Sequence, residues 1–293
     1  MSRCRTTSRV APTAVPEPVP EGPEIRIEAD RIARVLVGHT VEEAYFGLPR
    51  LRHFRRQVEG AGVEAVHTHG KAMLTRFDNG LTLYSHNQLY GRWYVKPRGE
   101  FPNTGRSLRV ALHTGAGSAL LYSASEIAVL DDNELATHPF LVKLGPDLLD
   151  ASLAWRDIAR RLNDPRFRKR AVGSLYLDQG FIAGVGNYLR SEILFFAGVH
   201  PATRPAQLSL RQRNELARQT LAVGERAYRG AGITNLPARV KRLKAQGRRR
   251  GQLRFAAFAR AGQPCYDCGS KIRKIDVGSR RLYLCPVCQP AAD

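Results

Sequence analysis

The sequence predicts a multidomain α+β protein: an N-terminal helix, an antiparallel β-sandwich or barrel, a helical domain and a C-terminal four-cysteine ribbon. Three observations carry this. Apolar residues recur at helical spacing just after Pro20, short alternating segments with turn residues fill 41–130, and two tight cysteine pairs close the chain. At 293 residues with 43% hydrophobic content, two or three cores are expected rather than one.

Residues 1–19 are rich in Pro, Ser, Thr and Arg, lack periodicity and are expected to be disordered. Order is predicted to begin at Pro20. Pro23 suits a first helical turn, and Ile25, Ala29, Ile32, Ala33 and Leu36 form one apolar stripe that Gly38 ends. Further on, Asp78-Asn79-Gly80 and Thr114-Gly115-Ala116-Gly117 each separate two strand-like runs, 72–77 from 81–85 and 108–113 from 119–123. Asn and Gly tolerate positive φ, so both read as hairpins.

After Pro146 the pattern turns helical over 153–162, 171–179, 188–197 and 208–229, and residues 180–187 join the second and third of these in a helix–turn–helix-like unit. The basic run 238–254 has few apolar positions and is expected to be a mobile linker or loop near phosphate; on charge alone, a solvated face fits equally well.

Cys265/Cys268 and Cys285/Cys288 are C-x2-C pairs separated by 16 residues. Each pair turns two thiolates toward one point, and together they make a closed tetrahedral sulfur shell suited to one structural Zn2+. Segments 271–277 and 281–284 are expected to form the hairpin between the knuckles, turning at Gly278-Ser279. Cys4 stands alone in the N-terminal extension.

Lys and Arg number 46 against 26 Asp and Glu, a net charge of +20, which favours a polyanionic partner. No apolar run approaches the roughly 18 residues of a membrane span, and no secretory signal is visible, so a soluble chain is expected.

Several segments in fixed order resemble the formamidopyrimidine-DNA glycosylase/endonuclease VIII family: PEGPEI from Pro20, THGKAMLT, LYSHNQLYG, HPFLVKLGPD, GVGNYLRSEIL, and the ribbon CYDCG with SRRLYLCPVCQ. The resemblance runs from Pro20 to Gln289. It implies a β-sandwich domain (20–147, with the helix), a helix–two-turn–helix domain with the basic linker (148–254), and a zinc-ribbon finger (255–293). It also implies base-excision repair of damaged duplex DNA by a bifunctional glycosylase/AP lyase. HNQLYG resembles the endonuclease VIII branch, which acts on oxidised pyrimidines.

In that family the mature chain begins with the proline. A free α-amino group has a pKa near ~8, so part of it is unprotonated at neutral pH. A terminal proline attacks the sugar C1′, expels the base and becomes a cationic iminium that acidifies the C2′ proton and drives loss of the 3′ phosphate. The resemblance assigns Glu21 to proton transfer at the sugar ring oxygen, with support from Glu24. Lys71 contacts phosphate and donates a proton, and Arg280 holds the phosphates beside the lesion. Gln88, Leu89 and Tyr90 fill the gap left by the everted nucleotide. Asn187 contacts backbone phosphate, and Lys143 stands where relatives can carry an arginine.

In the given chain Pro20 follows Val19, and an amide nitrogen is not a nucleophile. The expectation is that translation starts at Val19 and the initiator residue is removed, or else that a protease removes residues 1–19. Two other readings stay open: the same chemistry on oxidised purines, or a non-catalytic zinc-ribbon DNA-binding protein if the extension is retained. A monomer in the bacterial cytoplasm, associated with the nucleoid, completes the expectations.

Overall fold

The computed structural model describes residues 19–291. The disorder expected over 1–19 and the lone Cys4 lie outside the described residues, apart from Val19. Helix α1 (Gly22–Leu36) opens the fold, with a capping box between Glu21 and Glu24 and proline in its first turn. Its stripe Ile25, Ala29, Ile32 and Leu36 is buried.

That stripe packs against two four-stranded sheets. Strands β1 (Glu43–Phe46), β5 (Arg92–Lys96), β6 (Leu108–Thr114) and β7 (Gly117–Tyr122) form one, in the order β1-β6-β7-β5. The other is β2-β3-β4-β8, from Val63–His69, Ala72–Phe77, Thr82–His86 and Glu126–Leu130. All pairings are antiparallel. Phe77, Leu83, Trp93, Val110, Leu112 and Leu121 fill the space between the sheets with the α1 stripe. A sandwich follows, as expected, and a short helix, α2 (Arg55–Val58), lies between β1 and β2 in the chain. Both expected hairpins are present, with Gly80 at φ +86° in the first and a two-residue turn, Gly115-Ala116, in the second.

Helix α3 (Asp132–Thr137) leads to the helical unit: α4 (Trp155–Asn163), α5 (Val172–Leu175), α6 (Asn187–Phe196) and α7 (Leu210–Arg229). Ser209 caps α7 by accepting from the Gln212 amide. The core of this unit holds Ile158, Leu162, Tyr176, Phe181, Tyr188, Leu189, Leu216 and Val223. The helix expected over 171–179 shrinks to α5. Gly173 backs onto the Pro201 carbonyl, and the Asp178 side chain accepts the Gly180 amide and turns the chain out of the helix.

The expectation of a mobile linker over 238–254 is corrected. It contains α8 (Pro237–Ala245) and α9 (Arg250–Leu253). Leu243 and Leu253 are buried, and Arg239 pairs with Asp267 and lies over the Tyr266 ring. The ribbon hairpin is β9 (Arg273–Val277) and β10 (Arg280–Leu284). It starts two residues later than expected on the first strand and one earlier on the second. Gly278 and Ser279 both have positive φ, near 57° and 58°, so the turn follows the strand twist. Leu282 and Leu284 enter the helical core, which joins the ribbon to α6. Among the described residues, no helix is long and apolar enough to cross a membrane.

Candidate active site and zinc centre

The site forms where three backbone segments meet closely enough to require glycine. The start of α1 donates the Gly22 amide to the Gly184 carbonyl (2.8 Å), and a Cβ on Gly22 would lie 3.0 Å from the Gly184 Cα. Gly70, at φ +64°, lies against Ala183 and Gly184. Most decisive is Gly186, whose Cβ would fall 2.3 Å from the Glu21 carboxyl carbon. The sequence therefore opens a slot for one carboxylate.

Glu21 fills that slot. It is 4% exposed and accepts from the amides of Gly186 (2.7 Å), Tyr188 (2.8 Å) and Leu189 (3.2 Å). These are unpaired donors at the N-terminus of α6, where the helix dipole also favours negative charge. Burial nevertheless pushes the carboxyl up to about 7, against the Lys71 charge and the amide bonds. Glu24, a turn further on, accepts from the Tyr188 hydroxyl (2.8 Å) and pairs with Arg254 (3.3 Å). Pro20, exposed, immediately precedes the buried Glu21.

Lys71 comes from the opposite side. It lies with Gly70 in the two-residue turn between β2 and β3, where His69 pairs with Ala72. The Gly70 amide donates to Asp147 (2.5 Å) and His69 Nε2 lies 3.1 Å from the Gly145 carbonyl, so the turn is held from its β2 side. Burial pulls the ammonium below the ordinary lysine range; Glu21 opposes this and Arg280 adds to it. Glu21 and Arg280 are thus the charges that act most on Lys71.

Arg280 stands exposed at the ribbon tip, and Arg190 fixes the backbone beneath it. Arg190 is fully buried. It donates to the carbonyls of Gly173 (2.7 Å), Arg281 (3.2 Å) and Arg280 (3.4 Å), and to Asn187 Oδ1 (3.0 Å). The Asn187 carbonyl oxygen is thus engaged, leaving its amide nitrogen as the group available to an incoming acceptor. Glu192, also fully buried, accepts from Thr234 (2.5 Å) and from the amides of Ala256, Ala257 and Phe258 (each 2.8 Å), which fastens the ribbon's approach to α6.

Residues 88–90 are not core. Leu89 is 64% and Tyr90 70% exposed in the loop after β4. The Gln88 side chain is engaged within the protein, donating to Glu126 (2.6 Å) and accepting from Ser125 (3.2 Å), so the two projecting groups are Leu89 and Tyr90. Lys143 ends a short turn (Leu141–Lys143) beside the 178–186 loop and is exposed. Its carbonyl would lie 3.1 Å from a Cβ on Gly180.

Sequence reasoning missed Asp147, Tyr188, Arg190, Glu192 and Arg254. Tyr188 and Arg190 lie inside GVGNYLRSEIL, and their spacing from Asn187 is the one signal that could have pointed to them.

The four ribbon sulfurs lie within 4.8 Å of one another, with Cys265–Cys288 at 3.9 Å and Cys268–Cys285 at 3.4 Å. A tetrahedral sulfur shell with bonds of about 2.3 Å has edges of about 3.8 Å, so the donors fit zinc in size and chemistry. With four thiolates the shell is closed, and the chain holds one structural Zn2+.

Comparisons with known proteins agree in all three parts. The model of the formamidopyrimidine-DNA glycosylase N-terminal domain matches residues 19–125, that of its H2TH domain 144–237, and that of a zinc finger found in FPG and IleRS 262–291. Endonuclease 8 of Escherichia coli is 44% identical over 272 residues, 92% of this chain and 100% of the relative. Endonuclease 8 of Salmonella arizonae is 44% identical over 271 residues, with the same coverage. Among solved structures, MutM in complex with DNA containing carbocyclic 8-oxo-G superposes with a TM-score of 0.74 at 20% identity, covering 93% of this chain and 100% of that one. Lactococcus lactis Fpg with abasic-site DNA gives 0.74 at 20% identity, covering 92% and 100%.

Proposed function

Since the chain belongs to the formamidopyrimidine-DNA glycosylase/endonuclease VIII family, we propose that it is a base-excision DNA glycosylase with AP lyase activity, working through Pro20 as N-terminal nucleophile. Its substrate class is oxidised pyrimidine in duplex DNA. The observation that carries the mechanism is the seat of Glu21: a carboxyl raised to about 7, held on α6, one residue from Pro20 and coupled to Lys71.

The Pro20 nitrogen forms a bond to C1′ while the glycosidic bond breaks, and its electron pair leaves with the base, which takes up the proton released by the amine. Protonated Glu21 gives its proton to the sugar ring oxygen, the ring opens, and an iminium remains. Glu21, now ionised, takes the C2′ proton, and the freed electron pair expels the 3′ phosphate, with Lys71 giving a proton to the departing phosphate oxygen and Arg280 neutralising the phosphates. Leu89 and Tyr90 occupy the vacated stack, while Asn187, Lys143 and the basic α8–α9 segment contact backbone phosphate. Zinc supplies no reaction step; it fixes the hairpin that presents Arg280.

This chemistry requires a free secondary amine, so the active form begins at Pro20. The chain divides into a catalytic part (20–147), a DNA-binding part (148–254) and a finger (255–293). A monomer suffices, because one everted nucleotide needs one site, and the enzyme works at the bacterial nucleoid. The pyrimidine preference rests on the HNQLYG resemblance. Single-turnover product ladders on thymine-glycol and 8-oxoguanine duplexes test it. Faster excision of thymine glycol is expected; faster excision of 8-oxoguanine would assign the chain to purine lesions instead.

A further inference from the structure

Glu21, Glu24 and Glu28 lie at i, i+3 and i+7 of α1, one stripe about two turns long. The first two belong to the site just described. The third turns toward the loop 87–91: the Asn87 side-chain amide donates to Glu28 Oε2 at 2.8 Å. Asn87 is itself buried, and its carbonyl accepts the Gly91 amide at 2.7 Å. A Cβ on Gly91 would lie 2.7 Å from the Asn87 Cα, so the loop closes too tightly for any other residue there.

The loop is pinned elsewhere too. Gln88, at φ +49°, bonds Glu126 and Ser125, and the Tyr90 carbonyl accepts from Arg106. Those contacts tie it to the sandwich. The Glu28–Asn87 bond alone among them ties it to the helix that Glu21 caps and Pro20 immediately precedes. Burial pushes Glu28 up to about 7 in spite of Asn87, the Trp93 backbone, Arg92 and Arg31. A carboxyl group held in so unfavourable a place by one side-chain partner points to a positional role.

We propose that Glu28 is a positioning residue that, through Asn87, fixes where Leu89 and Tyr90 stand relative to the nucleophile. The inference rests on the glycosylase/lyase reading above. Eversion from a duplex demands that wedge and nucleophile act on one nucleotide at a set separation. Elimination at an abasic site in single-stranded DNA leaves no void to fill and does not make that demand.

The test uses protein beginning at Pro20 with Glu28→Ala, Asn87→Ala, the double variant and Glu28→Gln. It compares single-turnover excision from a thymine-glycol duplex with strand cleavage at a single-stranded abasic site. Each alanine variant should slow duplex excision about tenfold, the range expected for a lost bond to a charged acceptor, and leave single-strand cleavage unchanged. The double variant should be no slower than either single, since both remove one contact. Glutamine retains an acceptor for Asn87 and should restore duplex excision to within about threefold of wild type. Equal losses on both substrates, additive losses, or full duplex activity in Glu28→Ala would overturn the proposal. If the unsubstituted protein cleaves neither substrate, the functional reading beneath it falls first.

Discussion

The floor of the site and its rim are built on opposite principles. At the floor, Glu21 is 4% exposed, has three backbone donors and sits in a slot that only glycine leaves open. At the rim, Leu89 and Tyr90 are about two-thirds exposed, and Arg280 stands free on a hairpin tip. The floor is paid for in folding and ready before DNA arrives; the rim is unburied surface on anchored backbone, free to enter the duplex. Changes at the floor should therefore damage chemistry and stability together, while changes at the rim should separate them.

The largest effect is expected from Gly186→Ala, because the new methyl meets the Glu21 carboxyl at 2.3 Å. Overpacking of this kind costs about 1–3 kcal/mol, and the displaced carboxyl should lower excision by about a thousandfold. Denaturant unfolding and single-turnover excision should fall together. A stable variant with full activity would mean that the slot is not what holds Glu21.

Next, Glu21→Gln should reduce duplex excision about a hundredfold, with a smaller loss of cleavage at a ready-made abasic site. The sign of the pH dependence follows from the raised pKa. The Glu21 proton is lost as pH rises through about 7, while the Pro20 amine gains its lone pair as pH rises through about 8, so wild-type excision should peak between about 7 and 8 and decline above that. A pH profile that climbs steadily to 9 would remove Glu21 as the donor.

Removing zinc probes the path between floor and rim. Cys265 and Cys285 share a buried cluster with Phe195, Ile272 and Tyr283, and Arg190 grips the tip carbonyls from α6. Chelation, or Cys285→Ser, should lower the melting temperature and cut duplex cleavage at least tenfold through loss of Arg280's position. Unchanged cleavage by metal-free protein would show that the tip is dispensable.

The smallest effect belongs to the rim. Tyr90→Ala should slow excision roughly tenfold through lost stacking, with no change in melting temperature because the ring is 70% exposed. A stability loss of the Gly186→Ala kind would erase the distinction between the two regions.

Much of this was readable from local chemistry. The Pro20–Glu24 segment carries its own helix start, Asn79-Gly80 and Gly278-Ser279 supply positive-φ turns, and two C-x2-C knuckles specify a metal shell. What escaped depends on long separations. Glu28 meets Asn87 across 59 positions and Glu192 meets Ala256 across 64, and no periodicity marks either carboxylate. The helices within 238–254 escaped for another reason. Leu243 and Leu253 are their buried apolar anchors, and Arg239 is buried by an ion pair and a ring, so the stripe that announces a helix is missing.

The central claim is that Pro20 is the nucleophile, and borohydride trapping on a thymine-glycol duplex tests it most directly. Protein beginning at Pro20 should yield a covalent complex whose adduct maps by peptide mass spectrometry to Pro20, and protein retaining residues 1–19 should yield none. An adduct on a lysine, or equal trapping with residues 1–19 attached, would contradict the account.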